Sequence, residues 1–62
     1  MDWISVKKGL PETGGMYLVH TVAGHYYEAW YDTKYYTWLN IPPPVARRVT
    51  HYTPITPPKE AS

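Results

Sequence analysis

Residues 16–32, MYLVHTVAGHYYEAWYD, decide the fold of this chain. Two runs rich in β-branched and aromatic residues flank Ala23 and Gly24, a small pair typical of a tight turn. We interpret this pair as a two-residue hairpin loop. The stretch therefore predicts a hairpin with strands over residues 16–22 and 25–32.

The register of this hairpin determines which side chains share a face, because neighbouring side chains on a strand point to opposite sides. A two-residue loop places Leu18 opposite Ala29. If the register shifted by one residue, each strand would keep its two faces, but each face would lie beside the other face of the partner strand. The expected core face comprises Met16, Leu18, Val22, Tyr27, Ala29 and Tyr31. The expected second face comprises Tyr17, Val19, Thr21, Tyr26, Glu28 and Trp30.

The rest of the chain also favours strands and connectors. Three consecutive prolines at residues 42–44 cannot donate ladder hydrogen bonds, so we expect an extended connector or an edge segment there. The fold class predicted is all-β, a small antiparallel meander of three to five short strands. It forms a single domain over residues 1–62, with a Pro-rich C-terminal tail over residues 54–62. The further strand candidates are residues 3–6, 35–41 and 49–53.

Composition narrows the possible functions. The chain has 62 residues and no cysteine, so neither a disulfide nor a thiolate metal site can reinforce its small core. A net charge of +1 is far from the strongly basic balance of phosphate-binding domains. No apolar run approaches the roughly 18 residues of a membrane span. We expect a soluble protein of the cytoplasm with no membrane partner.

The pattern of polar residues argues against catalysis. His20, His25 and His51 match no standard metal-ligand spacing. Glu28 and Asp32 share a strand face, but about 13 Å separates them at ~3.3 Å per residue, and a glycosidase pair needs roughly 5–9.5 Å. No Gly-x-Ser-x-Gly motif is present. We therefore expect no enzyme, no metal site and no cofactor.

Seven of the thirteen residues between Tyr26 and Trp38 are aromatic, and the chain has no Phe. Tyr and Trp are favoured where one end of the ring is buried and the other meets water or a partner. A single thin sheet cannot bury both faces, so the surplus rings either pack under the chain's own loops or form a binding surface. For a binding surface, the predicted partner-binding anchors are Tyr26, Trp30, Tyr36 and Trp38.

Two other classes of function remain open. The same rings could stack the bases of a single-stranded nucleic acid, with Lys34, Arg47 and Arg48 contacting phosphates. The chain could instead be a self-assembling structural subunit, which would form a homo-oligomer. Recognition of a protein partner is the leading prediction, because the aromatic stretch carries one basic residue and two acidic ones.

Both ends of the chain carry recognisable motifs. Residues 3–12, WISVKKGLPE, resemble the opening WISVxxxLPE of a small family catalogued as domain of unknown function 551. Residues 49–59, VTHYTPITPPK, resemble its closing VTHWxPLPxPPK, with Tyr52 in place of Trp and Ile55 in place of Leu. Between the two motifs, the resemblance extends to Gly15, Leu18, Val19, Tyr31, Asp32 and Trp38.

The resemblance implies a biological context for this protein but no enzymatic activity. Members of that family are small proteins encoded mostly by bacteriophages and prophages, with no established activity and no catalytic residues. It implies a phage accessory protein that binds a host protein stoichiometrically in the bacterial cytoplasm, for example to inhibit a defence or nuclease complex. In such a protein His51 would be a hydrogen-bonding structural residue, with a ring N–H donated to a backbone carbonyl. The residues expected to join the chain ends to the meander are Trp3, Leu10, His51 and Tyr52, and Pro11 and Pro54 are expected to fix the exit angles of the chain.

Overall fold

The computed structural model describes residues 2–55, which form one five-stranded sheet. The strand order is β1-β5-β2-β3-β4, and every neighbouring pair is antiparallel. The prediction of a small all-β meander is confirmed. Most of the predicted Pro-rich tail, residues 56–62, lies outside the described residues. The strands are β1 (Ile4–Ser5), β2 (Gly15–Thr21), β3 (Tyr26–Asp32), β4 (Thr37–Leu39) and β5 (Val49–Pro54).

The β2–β3 hairpin has a three-residue loop that ends at Gly24, not the predicted two-residue loop. The N–H of Gly24 donates to the carbonyl of Thr21, and the N–H of Thr21 donates to the carbonyl of His25, both at 2.9 Å. Gly24 has φ +88°, the left-handed conformation that closes a type I turn with a bulge. The extra loop residue shifts the register by one, so Tyr17 lies opposite Ala29.

This shift corrects the predicted core. The prediction was right for β3, whose Ala29 and Tyr31 are buried, and wrong for β2, where Met16 and Leu18 point away from the core. Large apolar residues occur at both alternating sets of β2 positions, so the hairpin loop determines which set faces inward. The core comprises Tyr17, Val19, Ala29, Tyr31, Trp38, Val49 and Tyr52.

Two short helical segments cover the core side of the sheet. A 3-10 helix (Val6–Lys8) follows β1, and the helical turn α1 (Pro43–Ala46) precedes β5. The predicted extended proline connector is therefore wrong from Pro43 onward. Proline suits the first turn of a helix because its φ is preset and its missing N–H has no partner there. The N–H groups of Val45 and Ala46 both donate to the carbonyl of Pro42.

Partly buried side chains seal this side of the core. Val6 of the 3-10 helix and Ala46 of α1 pack against the buried cluster, as does Ile41 between β4 and α1. Both helical segments thus lie on one side of the sheet and leave the other side without a covering element from residues 2–55. No helix in this part of the chain has the length and apolar character to cross a membrane.

Candidate functional site

The sheet surface that points away from the core is here called the open face. Along β3, alternate side chains on this face are exposed to solvent, whereas Ala29 and Tyr31 between them are buried. Sheet pairing places the open-face residues of the other strands beside them. The open face comprises Met16, Leu18, His20, Tyr26, Glu28, Trp30, Leu39 and His51, together with Thr53, which pairs with Leu18 but is buried.

An apolar row crosses one end of the open face. Trp30 lies opposite Met16 on β2 and opposite Leu39 on β4. Beyond β2, the N–H of Ile55 donates to the carbonyl of Met16 at 3.3 Å, which extends the row to the end of β5. Trp30, Leu39 and Ile55 are 46%, 42% and 40% exposed, respectively. The row is a continuous apolar surface with a large aromatic ring at its centre.

An aromatic row crosses the other end of the open face. His20 lies opposite Tyr26 on one side and opposite His51 on the other. Trp3, just before β1, packs against this row, with ring centroids 5.9 Å from Tyr26 and 6.2 Å from His20. Together the four side chains line a shallow cleft of about 270 Å³, here called the aromatic cleft.

The hydroxyl of Thr50 holds both histidines of the aromatic cleft. It donates to the carbonyl of His20 at 3.1 Å, and the Nδ1 atoms of His20 and His51 lie 3.3 and 3.0 Å from its oxygen. A hydroxyl has one hydrogen, so all three contacts are hydrogen bonds at once only if both Nδ1 atoms donate. The Nδ1 atom of His51 therefore contacts a side-chain hydroxyl, where the sequence had predicted a backbone carbonyl.

In the tautomer that makes all three contacts hydrogen bonds, both Nε2 atoms are hydrogen-bond acceptors. A neutral imidazole with a protonated Nδ1 carries its lone pair on Nε2. Within residues 2–55, neither Nε2 has a hydrogen-bond partner. In this part of the chain, Tyr31 Oη is the only side-chain nitrogen or oxygen that is both fully buried and without a partner. The two Nε2 atoms also have no partner, so neither of them is fully buried. In this tautomer the aromatic cleft presents two acceptors, one from each histidine.

The charge on the open face is negative. Glu28 projects from β3 between the two rows, flanked by Tyr26 and Trp30. None of the open-face strand positions holds Lys or Arg. No group of three or more His, Cys, Asp or Glu side chains that could hold a metal ion occurs within residues 2–55.

The four predicted anchors do not form one surface. Tyr26 and Trp30 both lie on the open face, at opposite rows. Tyr36 is 73% exposed but belongs to the β3–β4 turn. Trp38 is 6% exposed and packs in the core, with its ring centroid 4.8 Å from that of Tyr31. Its assignment as a partner-binding residue is corrected, because strand alternation turns it inward while its neighbour Leu39 points outward.

The basic residues considered for nucleic-acid binding lie outside the strand positions of the open face. Lys34 is in the β3–β4 turn, where its Nζ is 5.4 Å from the ring centroid of Tyr35. Arg47 follows α1 and lines a groove on the core side with Tyr36. Arg48 is exposed beside the start of β5. None of the three occupies a strand position on the open face, and Arg48 lies at the hairpin end of the sheet, where its carbonyl accepts from the N–H of Val22.

Trp3 is one of several residues of the candidate site that sequence reasoning missed. It had been expected to tie the chain end to the meander, yet 36% of its surface is exposed and its ring lines the aromatic cleft. Its position follows from the pairing of Ser5 with His51, a contact between residues far apart in sequence. No local signal near Trp3 could have shown it.

The comparisons with known proteins are negative. No protein-family model matches the chain, and neither a curated protein nor a solved structure matches it. The relationship to domain of unknown function 551 therefore stays a prediction from the two terminal motifs.

Proposed function

We propose that this protein is a stoichiometric protein-binding module and that the open face is its binding surface. The observation that carries the proposal is the apolar row formed by Ile55, Met16, Trp30 and Leu39. Contiguous exposed apolar surface with a polar surround is typical of protein interfaces. Trp and Tyr are the side chains that contribute most binding energy at such surfaces. Trp30 and Tyr26 are the proposed anchors.

The biological setting that we propose comes from the terminal motifs. Their resemblance to a family of phage and prophage accessory proteins supports action inside a bacterial host cell. A partner among host proteins, in particular a defence or nuclease complex, would fit a small chain that works by binding. The all-β fold with one uncovered sheet face is compatible with this role.

Two alternatives have less support. Single-stranded nucleic-acid binding would require cations beside the exposed rings, and the open face has none at its strand positions. Self-assembly has one observation in its favour. β4 pairs with β3 only from Trp30 to Asp32, so the part of β3 from Tyr26 to Ala29 has an edge that no described strand covers. Such edges can pair with a second copy.

Affinity capture from bacterial lysate tests the proposal. The natural chain is compared with Trp30→Ala and with Tyr35→Ala, an exposed aromatic control in the β3–β4 turn. We expect one protein to be retained after nuclease treatment by the natural chain and by Tyr35→Ala. Trp30→Ala should bind that protein about 30-fold more weakly, the loss of roughly 2 kcal/mol that truncating an anchor causes.

Three outcomes would contradict the proposal. Capture that disappears with nuclease would favour nucleic-acid binding. Equal capture by Trp30→Ala, with its fold verified by circular dichroism, would remove the apolar row as the binding surface. A dimer or larger species in sedimentation experiments, without any captured protein, would favour self-assembly.

A further inference from the structure

We propose that the aromatic cleft binds an arginine side chain of the partner protein. This inference deepens the proposed function, on which it rests, by naming the chemistry that the partner must present. It follows from three properties of the cleft, namely its hydrogen-bond acceptors, its aromatic rings and the charge beside it.

The acceptors come from His20 and His51. In the tautomer in which both Nδ1 atoms donate to the Thr50 hydroxyl, the one that makes all three Thr50 contacts hydrogen bonds, each ring offers Nε2 as a lone-pair acceptor. The two ring centroids are 6.3 Å apart. A ligand that satisfies both acceptors must therefore carry at least two N–H groups that diverge. The guanidinium of arginine has five N–H donors in a planar fork.

The aromatic rings come from Trp3 and Tyr26, whose centroids are 5.9 Å apart. Cations are attracted to the faces of Trp and Tyr, and arginine more often than lysine occupies such positions. A guanidinium can stack on an aromatic plane while its edge donates hydrogen bonds. An ammonium group is a compact and strongly hydrated charge, and it lacks this planar match.

The charge beside the cleft favours a cation. Glu28 lies two residues from Tyr26 on the same face of β3, at a Cα separation of about 7 Å. Among residues 2–55, no Lys or Arg occupies a strand position on the open face. An acidic ligand would be repelled by Glu28, and a neutral amide, although its NH2 group has two donors, lacks the positive charge that the rings and Glu28 favour.

The test uses three capped tripeptides, Gly-Arg-Gly, Gly-citrulline-Gly and Gly-Lys-Gly, titrated into the full chain and followed by NMR. Citrulline has the shape of arginine without its charge. We expect the arginine peptide to shift the indole N–H signal of Trp3 and the ring signals of His20 and His51 saturably, with a Kd in the millimolar range typical of a single side chain. Citrulline should bind at least tenfold more weakly, and lysine several-fold more weakly.

A matched pair of variants locates the binding. Tyr26→Leu should weaken the arginine peptide at least fivefold, because it removes one ring of the cleft at an exposed position. Tyr35→Leu, which changes an exposed ring in the β3–β4 turn, should leave its affinity unchanged. Equal affinity for citrulline, equal loss in both variants, or no saturable shift up to about 50 mM peptide would overturn the inference.

The outcomes separate this inference from the proposed function. If a captured protein depends on Trp30 but the arginine peptide does not bind, the inference about the aromatic cleft is wrong and the binding module stands. If the arginine peptide binds in the cleft but no protein is captured, the guanidinium site is supported and the proposed function fails.

Discussion

The phenol hydroxyl of Tyr52 donates a 2.8 Å hydrogen bond to the backbone carbonyl of Gly9. The two residues are 43 positions apart, and the bond connects β5 with the loop that follows the 3-10 helix. Tyr52 also lies opposite Ile4 of β1. Tyr52 therefore connects the last strand to the first part of the chain in two ways, by strand pairing with Ile4 and by the side-chain hydrogen bond to Gly9.

Removing the hydroxyl of Tyr52 should weaken the fold, whereas removing that of Tyr31 should not. Tyr52→Phe loses the bond to Gly9 and should lower the free energy of unfolding by about 1 kcal/mol. Tyr31 Oη is buried without a partner among residues 2–55, so Tyr31→Phe should be neutral or slightly stabilising. Urea unfolding of both variants checks this contrast. A cost of 1 kcal/mol or more for Tyr31→Phe would show that its hydroxyl has a partner.

Stability should decrease in alkaline solution because of the same two residues. Burial raises the pKa of Tyr31 and of Tyr52 above the ordinary value of about 10, and smaller contributions come from nearby tyrosines and carboxylates. The unfolded chain then loses these protons at a lower pH than the folded chain does. Stability is complete below about pH 10 and falls as the pH rises from there through the raised values.

Urea midpoints measured between neutral pH and about pH 11 check this dependence. Tyr31→Phe and Tyr52→Phe should each make the alkaline decrease shallower, and the double variant should make it shallower still. An unchanged slope in the double variant would assign the decrease to other groups.

The two tryptophans of β3 and β4 should behave in opposite ways when truncated. Trp38→Ala removes a ring packed against Tyr17, Tyr31 and Tyr52, which should cost about 3–5 kcal/mol and unfold a domain of this size. Trp30→Ala removes a half-exposed ring and should cost about 1 kcal/mol or less. Thermal unfolding monitored by circular dichroism distinguishes them. A folded Trp38→Ala, or an unfolded Trp30→Ala, would reverse the assignment of core and surface.

Tyr36 should be replaceable by glycine with a gain in stability. Its φ of +56° is in the left-handed region, which costs a residue with a Cβ about 1–2 kcal/mol. Tyr36→Gly should raise the free energy of unfolding by about 1 kcal/mol. Tyr35→Gly is the matched control, since Tyr35 is similarly exposed but has no positive φ, and it should give no such gain. A destabilised Tyr36→Gly would mean that the tyrosine ring contributes packing that outweighs the backbone strain.

Several elements could be predicted because their signals are local. The small residues at Ala23 and Gly24 located the hairpin, and the β-favouring runs on either side gave both strands within one or two residues of their bounds. The alternation on β3 also identified Ala29 and Tyr31 as inward-facing. The loop length could not be read in this way, since Ala23 and Gly24 suit either a two-residue loop or the end of a three-residue loop.

The sequence by itself determined the all-β class and the approximate positions of the strands, because these depend on residue type and short-range alternation. Tertiary structure alone decided that Tyr17 and Val19 face inward in place of Met16 and Leu18. It also decided that Trp38 is core and that Trp3 meets His20. Where both alternating sets of a strand are apolar, the local pattern does not decide which set is buried, and the register set by the hairpin loop and by pairing with β5 selects it.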